Sequence, residues 1–538
     1  MTKTKIIIFI SLVAYFAVLN SFRLNYLYTT ILDDTYIFLR YAENIVNGYG
    51  FVWNIHEAPV EGYTSFLYLV VLITAKYLSI DLESFAIILG ILTAALTLYY
   101  VFLIYVHLYD KILSKKYSII FSLIILTISP AYLFWSAAGM ETSFYSMFLV
   151  MTLYYFLTLS DKNLNIFLKG ILFGLLCVIR FEAVLFFIAA FYYLVKKDKS
   201  TFKIKISYNT VLFVTGFALI FGTYFIWRWI YFGYFLPNTF YAKTGGGFQQ
   251  IVGGFLYIIE AFRSFYGFGW IPIFLIFLFF KIDMITKQTL FLFSIGIISL
   301  ITTIFIGGDH FYYGRFVIPV LPLLFVLFPP VFDRFLLMSL KYVKLKPANT
   351  VIILFLIITV LLIFKPVYQE TFGGIKNLVD GEKEILVVYD QSATTDIIYW
   401  QHGFIIMGKT LNKIASQNDY IAAVPIGAIG YFSKINVIDM VGLVDPVIAH
   451  EIFSPDAVRK WTPGHTKGDG RYILSRKPEY IQLTDYLTRK PLEKPHRRST
   501  QFVSVREIWE SEEFHRDYVF YPIEVLDGWY YNLFKRKQ

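Results

Sequence analysis

The sequence predicts a polytopic α-helical membrane protein that ends in a soluble α/β domain. Two observations predict this fold class. First, 57% of the 538 residues are hydrophobic and 16% are charged, which leaves too few charges to cover a soluble globular protein of this composition. Second, apolar runs of about 20 residues, the length that crosses a bilayer, recur from residue 6 to residue 364 and then stop. We therefore place a transmembrane domain at 1–365 and a soluble domain at 366–538.

Hydropathy alone sets the predicted membrane spans. They lie at about 6–28, 85–108, 117–134, 142–159, 164–179, 182–195, 208–230, 268–281, 289–306, 316–338 and 349–364. Two further apolar stretches, 63–78 and 250–266, leave the count open at about 11–13 helices. The N-terminal segment 1–20 lacks a small-x-small cleavage site and is followed by Arg23 and more aromatic residues, so we interpret it as part of an uncleaved first span and not as a signal peptide.

Lysine clusters assign a side of the membrane to each loop. Lys3 and Lys5 predict a cytoplasmic N-terminus, and alternation then places nearly every lysine-rich loop in the cytoplasm. This solution requires the stretch 63–78 to be re-entrant or interfacial, because a full crossing would invert every later loop. The first external loop, at about 29–62, and the C-terminal domain then lie outside the cytoplasm. We predict a multi-pass protein of the plasma or inner membrane.

Composition also excludes several classes of function. The formal net charge is +10, but many lysines flank apolar runs and report orientation, so nucleic acid is not a predicted partner. Cys177 is the only cysteine, which rules out an internal disulfide. Walker, zinc-finger and nucleophile-elbow patterns do not occur in the sequence, so it gives no support for ATP-driven transport or serine hydrolysis.

Two adjacent carboxylates, Asp33 and Asp34, follow the first span and begin a short predicted helix that glycines end. One interpretation is structural: an N-cap and a partner for the helix dipole at the membrane interface. The other is chemical, because a carboxylate here could deprotonate an acceptor hydroxyl or, as an adjacent pair, bind a divalent cation. The residues alone leave both interpretations open.

Other polar residues flank spans on the predicted outer side. Arg180 and Glu182 could form an ion pair, or Arg180 could hold a phosphate by bidentate hydrogen bonds. Glu141 could cap the helix that follows it. Asn238 and Lys243 lie on the same predicted face, where Lys243 could equally be a snorkelling lysine.

A dense polar loop spans residues 306–322. Gly307 and Gly308 allow a tight turn, and Asp309 and His310 are candidates for acid–base chemistry or metal binding. The structural alternative is an ion pair between Asp309 and Arg315, which needs no substrate. Since nearly all such polar groups share one predicted face, we expect a single polar cavity that opens outward.

The tail alternates β-like runs with predicted helices. Runs at 383–390 and 435–445 predict strands, and 423–432 predicts a strand, a turn and a helix. A polar loop at 462–474 could bind glycan, although a solvated loop explains it equally simply. The tail is therefore expected to be an α/β domain.

Taken together, these motifs resemble the GT-C glycosyltransferases, and within them the mycobacterial terminal arabinofuranosyltransferase (AftB-like) group. The resemblance rests on the order of LDDTYIFLRYAENIVNGYGFVWN, PVEGYTSFLYL, SAAGMETSF, IRFEAVLFF, LPNTFYAK, GGDHFYYGRFVIPVLP, IDMVGLVDPVIAH and PGHTKGDGRYIL. It covers most of the chain. It is specific for the group and much less so for the sugar, and Phe181 stands where related sequences often have proline.

The resemblance implies a GT-C fold and an inverting glycosyltransferase that moves a sugar, arabinofuranose being one candidate, from a polyprenyl-phosphate donor to a cell-envelope glycan or glycolipid at the outer face of the membrane. It implies Asp33 as the leading base, with Asp34 as its partner or as a ligand of an optional divalent cation at this pair, the only cofactor considered. The implied donor-phosphate residues are Arg180, Arg315 and Lys243. The implied sugar- or acceptor-binding residues are Glu61, Glu182, Asp309, His310 and Asn238.

Two rival functions remain at the level of sequence. A lipid-linked sugar flippase or secondary transporter would also line a pathway with charges, although the large tail and the lack of a visible internal repeat disfavour it. A non-catalytic glycan-binding membrane protein fits if the two aspartates are purely structural.

Overall fold

The computed structural model describes residues 31–109, 117–197, 204–205, 207–266, 286–311, 313–341, 387–390, 395–398, 400–452 and 462–538, with Leu12, Tyr15, Phe16 and Ile271. The predicted spans at 349–364 and, apart from those isolated residues, at 6–28 and 268–281 lie outside this range. So does the predicted domain boundary at 365/366, which stays a prediction.

The described helices and strands follow one another along the chain. The helices are α1 (Asp33–Val46), α2 (Phe66–Tyr77), α3 (Leu82–Tyr109), α4 (Tyr117–Thr127), α5 (Pro130–Ala137), α6 (Thr142–Thr158), α7 (Asn163–Ile179), α8 (Val184–Leu194), α9 (Tyr208–Phe217), α10 (Thr223–Phe232), α11 (Asn238–Lys243), α12 (Gly247–Tyr266), α13 (Lys287–Ile306), α14 (Val320–Lys341), α15 (Trp400–Ile414), α16 (Gly427–Ser433), α17 (Pro446–Ala449), α18 (Gly470–Ser475), α19 (Val503–Glu510) and α20 (Glu512–Asp517). The strands are β1 (Lys196–Lys197), β2 (Ile204–Lys205), β3 (Val387–Asp390), β4 (Thr395–Ile398), β5 (Tyr420–Ala423), β6 (Asn436–Asp439), β7 (Tyr480–Ile481), β8 (Tyr518–Leu526) and β9 (Trp529–Arg536).

The chain divides into two compact units. The first, called the helical unit, comprises Met1–Leu27, Ile87–Ile226 and Phe255–Gly381. The second, called the mixed unit, comprises Tyr28–Ala86, Trp227–Gly254 and Glu382–Gln538. Each unit is described by itself below.

Three described helical segments are long and apolar enough to cross a membrane. They are α3, α13 and the continuous run Tyr208–Phe232, in which a π-helical turn at Ala218–Gly222 joins α9 to α10. These segments confirm helices at three of the predicted spans, as expected for a membrane protein.

One predicted span is wrong in detail. The segment 117–134 is not one helix, because it breaks between α4 and α5 at Ser129 and Pro130. Proline disfavours the helical conformation of the residue before it and lacks an N–H donor, and Ser129 is accordingly extended, with φ −63° and ψ 120°.

The stretch 63–78 forms the short helix α2. Its 12 residues rise about 18 Å at 1.5 Å per residue, whereas the hydrocarbon core is about 30 Å thick. Such a helix cannot cross the bilayer by itself. Its length agrees with the predicted re-entrant or interfacial position.

The mixed unit contains a five-stranded sheet in the order β6–β5–β7–β9–β8. Strand β5 runs parallel to β6 and β7, while β9 runs antiparallel to β7 and β8. Helices α19 and α20 supply buried Val505, Ile508 and Phe514 to the same core as Ile438 and Ile481. The run predicted as a strand at 383–390 is strand at 387–390, and the run predicted at 435–445 is strand only at 436–439. Of the strand, turn and helix predicted over 423–432, the helix is confirmed as α16, whereas strand β5 lies earlier and ends at Ala423.

Helix α1 packs against α16 within the mixed unit. Tyr36 contacts the rings of Tyr431 and Phe432 at centroid distances of 5.4 and 5.2 Å. Two glycines of α16 allow this approach, since a Cβ on Gly427 would overlap the backbone of Asp33. The predicted short helix after the first span is therefore confirmed, and it packs against the tail.

Candidate functional site

A polar cleft with about 410 Å³ of empty space lies in the helical unit. It forms where α6 begins, where α7 and α13 end, and just before α14. Its lining residues are Glu141, Thr142, Tyr145, Arg180, Glu182, Ser299, Thr302, Thr303, Ile306, Arg315, Phe316 and Pro319. The sequence predicted a polar cavity from three of the loops that meet here.

A break between two helices positions Arg180 in the cleft. Helix α7 ends at Ile179, and Arg180 is extended, with φ −145° and ψ 120°. A single 3₁₀ turn, Phe181–Ala183, then leads into α8. This junction turns the arginine away from the helix ladder and places Glu182 beside it.

Arg180 is held by two carboxylates. Its Nε donates to Glu182 Oε1 at 2.7 Å, and its Nη1 donates to Glu141 Oε1 at 3.1 Å. The predicted pair between Arg180 and Glu182 is confirmed. The prediction that Glu141 caps α6 through its side chain is wrong: the N-cap position makes no side-chain cap bond, because this carboxylate bonds Arg180 instead.

Glycines at the end of α13 shape the loop that contains Arg315, the second arginine of the cleft. Gly307 and Gly308 have φ values of +91° and +81°, a conformation that costs glycine no steric penalty. A Cβ on Gly308 would lie 2.5 Å from the ring of Tyr257. Only glycine therefore lets the loop pass this closely beneath α12.

Arg315 pairs with buried Asp309 at 2.7 Å between Nη2 and Oδ2, which confirms the predicted pair. His310 Nδ1 lies 3.3 Å from Asp309 Oδ1. The guanidinium carbons of Arg180 and Arg315 lie 4.7 and 5.1 Å from the centroid of the Phe316 ring. One aromatic ring thus contacts both cations of the cleft.

Glu141, Thr142 and Tyr145 line the cleft with buried polar atoms that have no hydrogen-bond partner. These atoms are Glu141 Oε2, Thr142 Oγ1 and Tyr145 Oη. Sequence reasoning missed Thr142 and Tyr145. The available signal was the spacing of Tyr145, which is four residues from Glu141 and three from Thr142, since residues three and four apart share one face of a helix.

The paired aspartates lie in the mixed unit, at the first turn of α1. Asp33 does not cap its own helix. Its Oδ2 and Oδ1 accept from the backbone N–H groups of Gly427 and Ala428 at 3.0 and 2.7 Å, which caps α16 instead. Asp34 is partly exposed and joins Asp33 at the positive end of the α1 dipole.

Two residues expected to bind sugar or acceptor make structural contacts in the mixed unit. Glu61 forms a buried ion pair with Arg228, which also donates to the carbonyls of Tyr234 and Phe235. Asn238 Nδ2 donates to the carbonyls of Gly442 and Leu443 at 2.9 Å each. Their predicted binding roles stay predictions.

A buried aspartate organises the loop that Asn238 contacts. Asp439 accepts from the backbone N–H groups of Val441 and Val444 at 2.9 and 3.0 Å. Burial raises the pKa of the Asp439 carboxyl to about 7, although these backbone hydrogen bonds oppose the shift.

The predicted site residues divide between the two units. The helical unit brings Arg180, Glu182 and Arg315 to one cleft. Asp309 forms an ion pair with Arg315, and His310 lies beside Asp309. Asp33, Asp34, Glu61, Asn238 and Lys243 belong to the mixed unit. Over the described residues, there is no group of three or more His, Cys, Asp or Glu side chains placed to hold a metal ion, and the cation at Asp33 and Asp34 stays a prediction.

Residues 392–526 match a family model described as Domain of unknown function (DUF8728). The sequence matches no curated protein. Among solved structures, the chain is similar to ArnT from Cupriavidus metallidurans bound to undecaprenyl phosphate, with 10% identity and a TM-score of 0.49 over 81% of this chain and 85% of that one. It is also similar to the Archaeoglobus fulgidus oligosaccharyltransferase in complex with Zn and sulfate, with 11% identity and a TM-score of 0.45 over 80% of this chain and 62% of that one.

The family match covers the smaller part of the chain, and its description gives no function.

Proposed function

We propose that this protein is an integral-membrane inverting glycosyltransferase of GT-C type. It transfers a sugar from a polyprenyl-phosphate donor to a cell-envelope glycan or glycolipid at the outer face of the membrane. The observation that carries the proposal is the cleft of the helical unit, which joins Arg180 and Arg315 from segments far apart in sequence. The ordered motifs described above place both arginines among the expected donor-binding residues.

The two arginines supply the phosphate site. Arginine binds phosphate through planar, bidentate hydrogen bonds. The bonds from Arg180 to Glu141 and Glu182 use two of the five N–H donors of a guanidinium. A phosphate can therefore bind the same group while both carboxylates hold its orientation.

Asp34 is the better candidate for the base. Both carboxylate oxygens of Asp33 already accept backbone hydrogen bonds from α16, so this carboxylate is committed to capping that helix. Asp34 is the next residue on the same helix turn, and both aspartates are partly exposed. We therefore assign proton transfer to Asp34 and a capping role to Asp33.

The reaction balances with these groups. A carboxylate base accepts the proton of the acceptor hydroxyl, whose oxygen attacks the anomeric carbon. The bond between that carbon and the phosphate oxygen breaks, and polyprenyl phosphate leaves with the electron pair. Arg180 and Arg315 stabilise the negative charge that develops on the leaving phosphate. Attack from the side opposite the phosphate inverts the anomeric configuration.

The test is transfer of radiolabelled sugar by the purified full-length protein. A panel of polyprenyl-phosphate sugars, including the arabinofuranosyl donor, is offered with a membrane glycan extract. We expect Asp34→Asn to lower turnover by at least about a hundredfold with an unchanged melting temperature. Asp33→Asn should lower the melting temperature and retain more turnover, and exposed Asp527→Asn serves as the matched control.

Two outcomes would contradict the proposal. If wild-type protein consumes no donor but moves an intact lipid-linked sugar across a vesicle membrane, it is a flippase. If Asp34→Asn transfers sugar as fast as Asp527→Asn does, the assignment of the base is wrong.

A further inference from the structure

Three cleft-lining side chains have polar atoms without partners, and these atoms point to a ligand beyond the phosphate. Glu141, Thr142 and Tyr145 are 2%, 3% and 6% exposed, and Glu141 Oε2, Thr142 Oγ1 and Tyr145 Oη have no hydrogen-bond partner. Buried polar atoms are nearly always paired in folded proteins. Three such atoms around one cleft are therefore best explained by a ligand that pairs with them.

The three groups are fixed in place before any ligand binds. They occupy the N-cap and first turn of α6, where positions three and four apart lie on one helix face. Glu141 is also held by Arg180 through its other carboxylate oxygen. Such a rigid set recognises a ligand without an additional ordering cost.

The charges of the cleft indicate what kind of group pairs with them. Arg180 already faces Glu141 and Glu182, and Arg315 faces Asp309. Because three carboxylates face the two guanidinium groups, the cleft has no excess positive charge that would favour an anionic sugar. A carboxylate oxygen and two hydroxyls instead match neutral hydroxyl groups, which both donate and accept hydrogen bonds.

We infer that Glu141, Thr142 and Tyr145 bind the hydroxyl groups of the donor sugar, and that this sugar is a neutral pentose or hexose and not a uronic acid. The inference rests on the proposed function, because it assigns the sugar end of the same donor site.

The experiment measures binding of the donor without requiring turnover. Full-length protein in detergent is titrated with bare polyprenyl phosphate, with neutral pentosyl and hexosyl polyprenyl phosphates, and with a uronic acid analogue. The variants are Tyr145→Phe, Thr142→Val and Glu141→Gln. Each should weaken binding of the tightest neutral donor by about tenfold. The two hydroxyl variants, Tyr145→Phe and Thr142→Val, should leave binding of bare polyprenyl phosphate unchanged, whereas Glu141→Gln also alters the ion pair that holds Arg180.

The chain offers matched controls. Thr152 on the same helix and Tyr109 on α3 also have buried hydroxyls without partners, but they do not line the cleft. Thr152→Val and Tyr109→Phe should bind every lipid as wild type does. If Glu141→Gln fails to fold, the two hydroxyl variants still decide the question.

The outcomes separate this inference from the proposed function. The inference is overturned if Tyr145→Phe and Thr142→Val bind the neutral donor as tightly as the controls do. It is also overturned if these two variants weaken binding of bare polyprenyl phosphate as much as binding of the neutral donor. A third contradicting result is a uronic acid donor that the wild type binds as tightly as the neutral one. If the wild type binds no polyprenyl phosphate at all, both this inference and the proposed function are overturned.

Discussion

The polar residues of the two units are used differently. In the mixed unit, Arg40 donates to the carbonyls of Trp53, Gly430 and Ile435, and Asn54 exchanges two hydrogen bonds with the backbone of Val437. In the helical unit, the cleft-lining residues Glu141, Thr142 and Tyr145 leave polar atoms without partners. Arg40 and Asn54 thus stabilise the fold of the mixed unit, while Glu141, Thr142 and Tyr145 keep open polar atoms at the cleft of the helical unit.

This difference separates two roles of buried polar residues in a membrane protein, which are stabilising the fold and binding a ligand. A buried polar group whose hydrogen bonds are complete contributes to stability, and its replacement should lower stability more than substrate affinity. A buried polar group with an open atom should behave in the opposite way. Four sets of variants test this contrast, and the one expected to change stability most comes first.

The largest effect is expected at the buried pair of Glu61 and Arg228. Arg228→Met leaves the carboxylate of Glu61 buried without its cation, which should cost about 3–5 kcal/mol and appear as a large loss of melting temperature in detergent. The double variant Glu61→Leu with Arg228→Met should recover most of that loss. A single variant that melts like wild type would show that the pair is not needed for the fold.

The second effect is a pH dependence that originates at Asp439. Its pKa in the folded state is raised from 3.8 to about 7 by burial, so between these values the folded state binds more protons than the unfolded state. The free energy of unfolding should therefore fall as the pH rises through this window, by up to about 1.4 kcal/mol per pH unit. It should then level off above pH 7.

Thermal unfolding of wild type and Asp439→Asn between pH 4 and pH 8 checks this prediction. The variant lacks the titrating group, so its melting temperature should depend less on pH over the same window. Equal slopes for the two proteins would assign the pH dependence to other groups.

The third effect concerns Asn238, an expected acceptor-binding residue. Asn238→Ala removes two hydrogen bonds to buried carbonyls, which should cost about 2 kcal/mol of stability. The amide oxygen of Asn238 is buried and has no hydrogen-bond partner, but both bonds of the amide nitrogen hold the loop of the mixed unit, so we expect the loss of stability to exceed any change in KM for the acceptor. A raised KM with an unchanged melting temperature would restore the binding role.

The smallest effect is expected at Thr152. Its buried hydroxyl has no partner, so Thr152→Val removes a desolvated polar atom and should raise stability by up to about 1 kcal/mol. The melting temperature of the variant measures this gain. A loss of stability would mean that the hydroxyl is satisfied.

Much of the fold followed from the sequence because hydropathy and strand patterns are local signals. The ion pairs of Arg180 with Glu182 and of Arg315 with Asp309 also join residues that are close along the chain. The hydrogen bonds between Asp33 and the first residues of α16 join positions 394 and 395 residues apart in sequence. No local pattern in the sequence predicts them. The same holds for Glu61 and Arg228, whose partners become known only when distant segments pack.

The close packing of α1 on α16 has a practical consequence. Gly430 supplies a carbonyl to Arg40, and a side chain at this glycine would lie 2.6 Å from the guanidinium. A fragment that begins at residue 382 would lack α1. It would therefore expose the surface that α1 covers, including the rings of Tyr431 and Phe432. Such a fragment should aggregate when it is expressed alone, and supplying residues 28–86 and 227–254 on the same polypeptide should restore its solubility.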